Sequence, residues 1–286
     1  MTTPTTDPGT RVSRTPASGR LVHGPRPALG VAERVGVVVE YHLLVYGRTW
    51  KGSIIGRFLS PLFFLLAMGL GLGTLVDESA GGVDGIPYLQ YVVPGIVAFQ
   101  AMWLAFNEST YVVMGYIKWN QMYAAMLATP LRVTEVLGGH LAVIGVHLVV
   151  ATTIFVAVAA LFGAFASWWV LLAIPVGLLT GLAFATPTFA LSARLDNDNG
   201  YGILYRFVIT PLMLFSGTFF PVDQLPPLLQ PVAWVTPLWH GVELSRAAAT
   251  GTPPDWAALG HLAVLVLYVV VGWVLAHRGF TRRLTP

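Results

Sequence analysis

Residues 136–162 read VLGGHLAVIGVHLVVATTIFVAVAALF, a run without a single Asp, Glu, Lys or Arg. A helix needs about 20 predominantly apolar residues to cross the hydrocarbon core of a bilayer. This run is longer than that, so it predicts a transmembrane helix. Similar runs occur on both sides of it, and they set the class of the whole chain.

The composition agrees with a membrane protein. Of the 286 residues, 55% are hydrophobic and only 10% are charged, whereas a soluble domain has about 25% charged residues. The absence of cysteine excludes disulfides, cysteine–zinc sites and a thiol nucleophile. The sequence pI of about 9.3 could suggest a nucleic-acid partner, but the basic residues do not cluster on one soluble domain, and no nucleic acid is expected.

Six apolar runs are long enough to span a bilayer. They cover residues 54–76, 91–114, 136–162, 168–192, 203–221 and 256–277. The predicted fold class is therefore an all-α polytopic membrane protein with six transmembrane helices. Residues 1–29 are rich in Thr and Pro and predict a disordered cytoplasmic tail, which leaves residues 30–286 as a single membrane domain.

The basic residues predict the orientation. Fifteen of the sixteen Lys and Arg residues fall on one side of the six-span arrangement, and only Arg246 falls on the other. The positive-inside rule assigns the basic side to the cytoplasm. We therefore expect a multi-pass protein of the inner (plasma) membrane with both termini in the cytoplasm.

Two segments outside the spans have their own patterns. In residues 30–53, apolar side chains such as Val35 and Val38 recur at helical spacing, which predicts an interfacial helix; the alternative is a plain continuation of the first span.

FSGTFFPVDQLP (Phe215–Pro226) opens a proline-broken, apolar segment after the fifth span. Because unpaired backbone is not tolerated in lipid, this segment predicts re-entrant helices packed on the bundle; the alternative is a surface loop with interfacial tryptophans.

The sequence contains no motif for covalent chemistry. No G-x-x-x-x-G-K-[ST], H-E-x-x-H or G-x-S-x-G occurs, so no catalytic, cofactor or metal site is predicted in this chain.

Ionisable groups inside spans are functional candidates. Glu108, beside Asn107, either lines a translocation path or makes a structural hydrogen bond, and His147 is predicted to be a packed, hydrogen-bonded histidine. A proton-coupled transporter is disfavoured because no relay of spaced carboxylates and no internal repeat is found.

The loop KWNQMYAAMLATPLRVTEVLGG (Lys118–Gly139) predicts a short helix that Pro130 ends. Its apolar side chains recur at helical spacing, and such a face needs lipid or a partner protein to cover it. The members of this stripe are Trp119, Met122, Tyr123, Met126 and Leu127.

Two motifs in this chain resemble those of a known family. MLATPLRVTEVLGG (Met126–Gly139) resembles the coupling-helix region of ABC-2-type transporter permeases. FSGTFFPVDQLP, followed by TPLWHGVELSRAAATG (Thr236–Gly251), resembles the fifth-span exit and return of the same family. The resemblance covers about residues 30–285 and points to the branch of daunorubicin-type drug exporters and nodulation-type lipooligosaccharide exporters.

The resemblance implies the membrane subunit of an ATP-driven exporter that moves an amphipathic drug or a lipid-linked glycan. ATP and Mg would be bound by a separate ATPase subunit, and a second permease copy, in a homodimer, would complete the path. The implied ATPase-coupling residues are Trp119, Met122, Tyr123, Met126, Leu127, Thr129 and Pro130. The implied translocation-path residues are Phe64, Phe99, Trp103, Asn107, Glu108, Phe215 and Phe219. The alternatives are a secondary multidrug transporter and a membrane scaffold or enzyme of envelope lipid synthesis.

Overall fold

The computed structural model describes residues 30–48, 59, 62–83, 85–252 and 255–285. Within these ranges the chain is helical, apart from turns and one isolated bridge between Val83 and Ile86. The predicted tail, the end of the predicted interfacial helix and the start of the first predicted span lie outside the described residues. The all-helical class is confirmed.

In the described part of the chain, five helices are long and apolar enough to cross a membrane. They are α2 (Leu62–Ser79), α3 (Tyr88–Trp119), α5 (Val133–Leu161), α6 (Trp168–Ser192) and α10 (Trp256–Leu284). The other helices are α1 (Val31–Tyr46), α4 (Met122–Leu127), α7 (residues 199–215), α8 (Gln230–Val235) and α9 (Pro237–Thr250).

The five long helices coincide with five of the six predicted spans. The remaining predicted span, over residues 203–221, is occupied by α7, which is shorter and lies earlier in the chain. It consists of Asn199–Leu204, a π-helical turn over Tyr205–Ile209, and Thr210–Phe215. The helix ends there because Gly217 has a φ of 77°, a left-handed conformation that glycine adopts readily and that terminates helices.

Helix α6 occupies the centre of the bundle and packs against α3, α5, α9 and α10. Small and hydroxylated side chains allow this close approach, as is usual between membrane helices. Thr180, Ala183 and Ala185 have no exposed surface, and the Thr180 hydroxyl donates to the Val176 carbonyl oxygen at 2.8 Å. A polar group in the core is thereby satisfied within its own helix.

The arginine-rich ends of the helices are tied together around the end of α6. Arg283 of α10 donates to the carbonyl oxygens of Ser192, Ala193 and Leu195 at 3.2, 3.0 and 2.7 Å. The last carbonyls of a helix have no partner inside it, so this arginine satisfies them. Tyr201 of α7 donates to the Ser192 hydroxyl at 2.8 Å, which fixes the start of α7 on the same junction.

The outer helices differ sharply from the central ones in burial. The share of the apolar stretch that is buried inside the chain is only 12% in α2 and 11% in α10, whereas it is 67% in α3. Helices that are apolar and exposed must be covered by lipid or by another protein chain. The described chain therefore has large surfaces whose partners are the bilayer or other subunits.

Candidate functional site

Helix α4 follows α3 through a sharp reversal of the chain. Gln121 has a φ of 48° and is the one non-glycine residue with positive φ among those described. Such a conformation is uncommon outside glycine, and here it turns the chain directly into α4. At the other end, the Thr129 hydroxyl donates to the Met126 carbonyl oxygen at 2.6 Å, and Pro130 follows. The predicted short helix and its stop are confirmed.

The apolar face of α4 is buried against the chain's own bundle. Tyr123 has no exposed surface, its hydroxyl lies 2.6 Å from Nδ1 of His140, and its ring meets the Phe280 ring edge-on at 5.6 Å. Met126 and Leu127 are partly buried against the same core. The expectation that the Tyr123 ring faces lipid or a partner is therefore wrong. The reversal at Gln121 folds α4 beneath α5 and α10, which sequence periodicity alone does not reveal.

The surface that α4 leaves exposed is rich in small side chains. Trp119, just before the helix, is 68% exposed, and Met122 is half-buried. The other exposed residues of this surface are Asn120, Gln121, Ala124, Ala125, Ala128, Thr129 and Pro130. Of the seven predicted coupling residues, Trp119, Thr129 and Pro130 thus remain on the outside.

Behind α4, a cluster of aromatic and histidine side chains joins α1, α3, α4 and α5. The His42 ring of α1 stacks on the His140 ring at 4.8 Å, and Tyr116 of α3 contacts both rings at 5.5 and 5.4 Å. Burial, with a smaller contribution from nearby His147, lowers the pKa of His42 from 6.5 to about 4. Burial raises the pKa of Tyr123 well above 10. At neutral pH both groups are therefore uncharged, as a buried cluster requires.

Glu108 and His147 form a pair within this region. Both carboxylate oxygens of Glu108 lie 2.8 Å from Nδ1 of His147, and the Tyr46 ring of α1 packs on the His147 ring at 4.6 Å. The prediction that His147 is packed and hydrogen-bonded is confirmed. For Glu108, the geometry supports the structural hydrogen bond, since its carboxylate pairs with His147 of α5.

The outward face of α3 and α7 carries a row of aromatic side chains. Trp103 stacks on Phe99 at 6.3 Å, packs against Tyr205 of α7 at 5.4 Å, and lies 6.2 Å from the ring of Phe106, which is buried behind it. Asn107 continues the row, exposed, with its amide donating to the Trp103 carbonyl oxygen at 2.7 Å. We call this surface the α3–α7 face. Phe99, Trp103 and Asn107 were predicted as path residues, and the structure brings them together here.

The other predicted path residues lie elsewhere. Phe64 and Phe219 are partly buried against a separate core at the opposite end of α3. Phe215 is 37% exposed and lines a cavity of about 390 Å³ between α6, α7, α8 and α10. Tyr205, which packs against Trp103, was not among the predicted path residues. Its aromatic character in a predicted span was the available signal, but the sequence does not show which face it occupies.

The segment after α7 turns back into the bundle. Ser216, Gly217 and Thr218 are buried, and a Cβ on Gly95 of α3 would lie 2.8 Å from the Thr218 carbonyl oxygen, so only glycine allows this approach. Arg246 of α9 donates to the Gly217 carbonyl oxygen at 2.7 Å. The same arginine pairs with Glu243 at 2.8 Å and lies 4.1 Å from the centre of the Tyr91 ring.

This arrangement explains why Arg246, alone among the sixteen Lys and Arg residues, falls on the opposite side of the predicted six-span arrangement. Arg246 is half-buried and holds the turn at Gly217 against α3 and α9. Its position follows from packing and does not reflect orientation. The short, proline-started helices α8 and α9 follow this turn, as FSGTFFPVDQLP and the prolines after it predict.

Comparison with known proteins identifies the class. Residues 33–249 match the model of the family described as ABC-2 type transporter, and the chain belongs to that family. It is thus an integral membrane permease subunit of an ABC exporter, a transport component that works with a partner ATP-binding subunit. The resemblance inferred from the two motifs is confirmed.

Several named proteins are similar over most of this chain. Nodulation protein J of Rhizobium leguminosarum bv. viciae is 36% identical over 241 residues, which are 82% of this chain and 90% of that protein. Nodulation protein J of Rhizobium meliloti (strain 1021) is 35% identical over 243 residues, 83% of this chain and 90% of the relative. The inner membrane transport permease YadH of Escherichia coli (strain K12) is 23% identical over 241 residues, 81% and 90% of the two chains.

Proposed function

We propose that two copies of this chain form the path of an ATP-driven exporter for an amphipathic molecule, with both termini in the cytoplasm. The single observation that carries the proposal is the α3–α7 face, where a half-exposed tryptophan stands beside an exposed asparagine. The Asn107 amide donates one hydrogen bond to the Trp103 carbonyl oxygen within its own helix, and its remaining hydrogen-bonding groups would be costly to bury in lipid without partners. A second permease copy and a passing substrate would supply those partners.

The proposal takes α7 as the fifth span and α8 and α9 as the re-entrant helices. Helix α7 covers residues 199–215, which corresponds to about 25 Å at 1.5 Å per residue, slightly less than a hydrocarbon core of about 30 Å. The buried segment of Ser216, Gly217 and Thr218 continues it inside the bundle, where irregular backbone is tolerated. Six spans place both termini on the arginine-rich side, which the positive-inside rule assigns to the cytoplasm.

We also propose that the exposed surface of α4, with Trp119 at its edge, docks on the ATPase subunit, which binds ATP and Mg. The buried contacts of Tyr123 support this proposal. Because they hold α4 on the bundle, a displacement of α4 by the ATPase can be transmitted to α5 and α1 without unfolding the helix. ATP would shift the permease between two packings by binding one more tightly than the other. Direct contacts would come from the small exposed side chains and not from Tyr123.

The proposed substrate class is an amphipathic drug or a lipid-linked glycan. The α3–α7 face has aromatic rings for an apolar portion and an amide for a polar one, and none of its described members named above is charged. The resemblance to nodulation-type lipooligosaccharide exporters favours a lipid-linked glycan. A secondary transporter and an envelope enzyme are no longer alternatives, because the family works with an ATP-binding partner.

Cross-linking tests the proposed dimer directly, because the chain has no cysteine and any introduced one is unique. Asn107→Cys should give a disulfide-linked dimer in membranes after mild oxidation, and added substrate should slow its formation. The matched control is Val270→Cys, on an exposed face of α10, which should stay monomeric. Efficient cross-linking of the control without cross-linking at residue 107 would place the interface on α10 and refute the proposed path.

A further inference from the structure

Helices α5 and α10 flank two separate cavities along the side of the bundle, and we call this pair of cavities the seam. The first, of about 520 Å³, opens at the arginine-rich end between the start of α5 and the end of α10. The second, of about 610 Å³, lies deeper between α5, α6 and α10. On both α5 and α10, the residues that line the two cavities recur every three or four positions. Residues at this spacing share one face of a helix, so the same face of α5 and the same face of α10 line both cavities.

The two cavities differ in chemistry. The deep cavity is lined by apolar and small side chains, among them Gly138, Ala142 and Trp273. The outer cavity is lined by Arg132, Thr134, His277 and Thr281, together with leucines. Nothing acidic is found among its described lining residues. The seam therefore has a polar, basic mouth and an apolar interior.

The polar groups at the mouth are only partly satisfied by the protein. The Thr134 hydroxyl lies 3.0 Å from Nε2 of His277, whereas the Thr281 hydroxyl oxygen is buried and has no hydrogen-bond partner in the described structure. The Arg132 side chain is exposed. The neighbouring carboxylate of Glu135 does not compete for it, because Glu135 is buried and pairs with Arg34 of α1 at 3.2 Å.

The dimensions of the seam match one leaflet of a bilayer. Its apolar part runs from Gly138 to Val150 on α5, which is about 18 Å along a helix. Half of a hydrocarbon core of about 30 Å is about 15 Å. An acyl chain with its headgroup at the mouth would thus lie within the seam for most of its length.

We propose that this seam binds an anionic phospholipid of the leaflet at the arginine-rich side. Its phosphate would lie at Arg132 and His277, and one acyl chain would follow the cavity past Ala142 to Val149. Basic pockets between membrane helices on the cytoplasmic side bind such headgroups in general. The inference concerns α5 and α10, so it stands whether or not the α3–α7 face is the transport path.

Lipid titration with native mass spectrometry tests the proposal on the purified full chain in mild detergent. The wild type should bind one phosphatidylglycerol at least tenfold more tightly than phosphatidylcholine. Arg132→Gln should lose this preference, whereas Arg278→Gln, which removes an exposed charge outside the mouth, should keep it. An equal loss of preference in both variants would reduce the effect to general surface charge and refute the site.

A second pair of variants tests the apolar part. Ala142→Leu fills the seam and should weaken phosphatidylglycerol binding about tenfold, while Ala157→Leu, at an exposed position of α5 outside the cavity, should not. If the Ala142→Leu chain binds lipid like the wild type, no acyl chain occupies the seam. If that variant instead converts a dimer to a monomer, a second copy occupies it and the proposal is wrong.

Discussion

The buried contact between Tyr123 and His140 gives the sharpest prediction about the coupling region. Tyr123→Phe removes only the hydroxyl that lies 2.6 Å from Nδ1 of His140. His140 is 3% exposed and Tyr123 has no exposed surface, so water cannot readily replace the lost partner. Leaving a buried polar group unsatisfied costs about 1–3 kcal/mol. At about 1.4 kcal/mol per factor of ten, the open form of α4 should become about 5 to 150 times more populated.

Hydrogen exchange of the α4 amides in full-length permease is the appropriate assay. Their exchange should accelerate by at least fivefold in Tyr123→Phe, while the amides of α6 should be unchanged. Because burial keeps the pKa of Tyr123 well above 10, the difference should be the same at pH 6 and pH 8. Tyr111→Phe, whose ring is 47% exposed, is the matched control. Wild-type exchange in α4 of Tyr123→Phe would show that the hydroxyl does not anchor the helix.

Three further predictions concern other parts of the fold. Arg246→Gln should lower the free energy of unfolding by about 1.5–3 kcal/mol, because it removes a charged hydrogen bond to the Gly217 carbonyl oxygen. The measurement is the thermal midpoint of unfolding, which should fall; an unchanged midpoint would refute this role. Because the pKa of His42 falls from 6.5 to about 4 on folding, docking of α1 should be fully stable above pH 6.5 and lose up to about 3 kcal/mol as the pH falls toward 4. Proteolysis of α1 should show this loss, and His42→Gln should reduce it, leaving the part that comes from the buried His140 ring stacked on His42; an unchanged loss in His42→Gln would refute the role of His42. Ala125→Asp places a charge on the exposed face of α4 and should reduce co-purification of the ATPase at least tenfold. The control is Val37→Asp on α1, where the side chain is 49% exposed, and it should leave co-purification unchanged. Equal recovery of the ATPase with both variants would exclude α4 as the docking surface.

Much of the membrane architecture could be predicted from the sequence, because lipid imposes strict rules on it. Runs of apolar residues must become helices, so residues 136–162 predict α5 to within three residues of its observed start at Val133. Pro130 predicts the end of α4 for an equally local reason. Such rules depend on neighbouring residues only, and they need no knowledge of the tertiary structure.

The site could not be predicted to the same degree, because it depends on contacts between distant residues. Glu108 and His147 were each singled out, but nothing in the sequence pairs residues that lie on different helices. The burial of Tyr123 depends on the left-handed conformation of Gln121, which glutamine rarely adopts. The early end of α7 depends on Gly217, whose conformation is fixed by Arg246 and by the close approach to α3.

ATP-dependent transport in inside-out vesicles that contain the permease and its paired ATPase tests the central claim most directly. A panel of amphipathic drugs and lipid-linked glycans would be offered with and without ATP. Uptake should require ATP, and Trp103→Ala on the α3–α7 face should reduce it at least tenfold, while Trp168→Ala, 70% exposed elsewhere, leaves it unchanged. ATP-independent uptake, or wild-type uptake by Trp103→Ala together with loss in Trp168→Ala, would contradict the account.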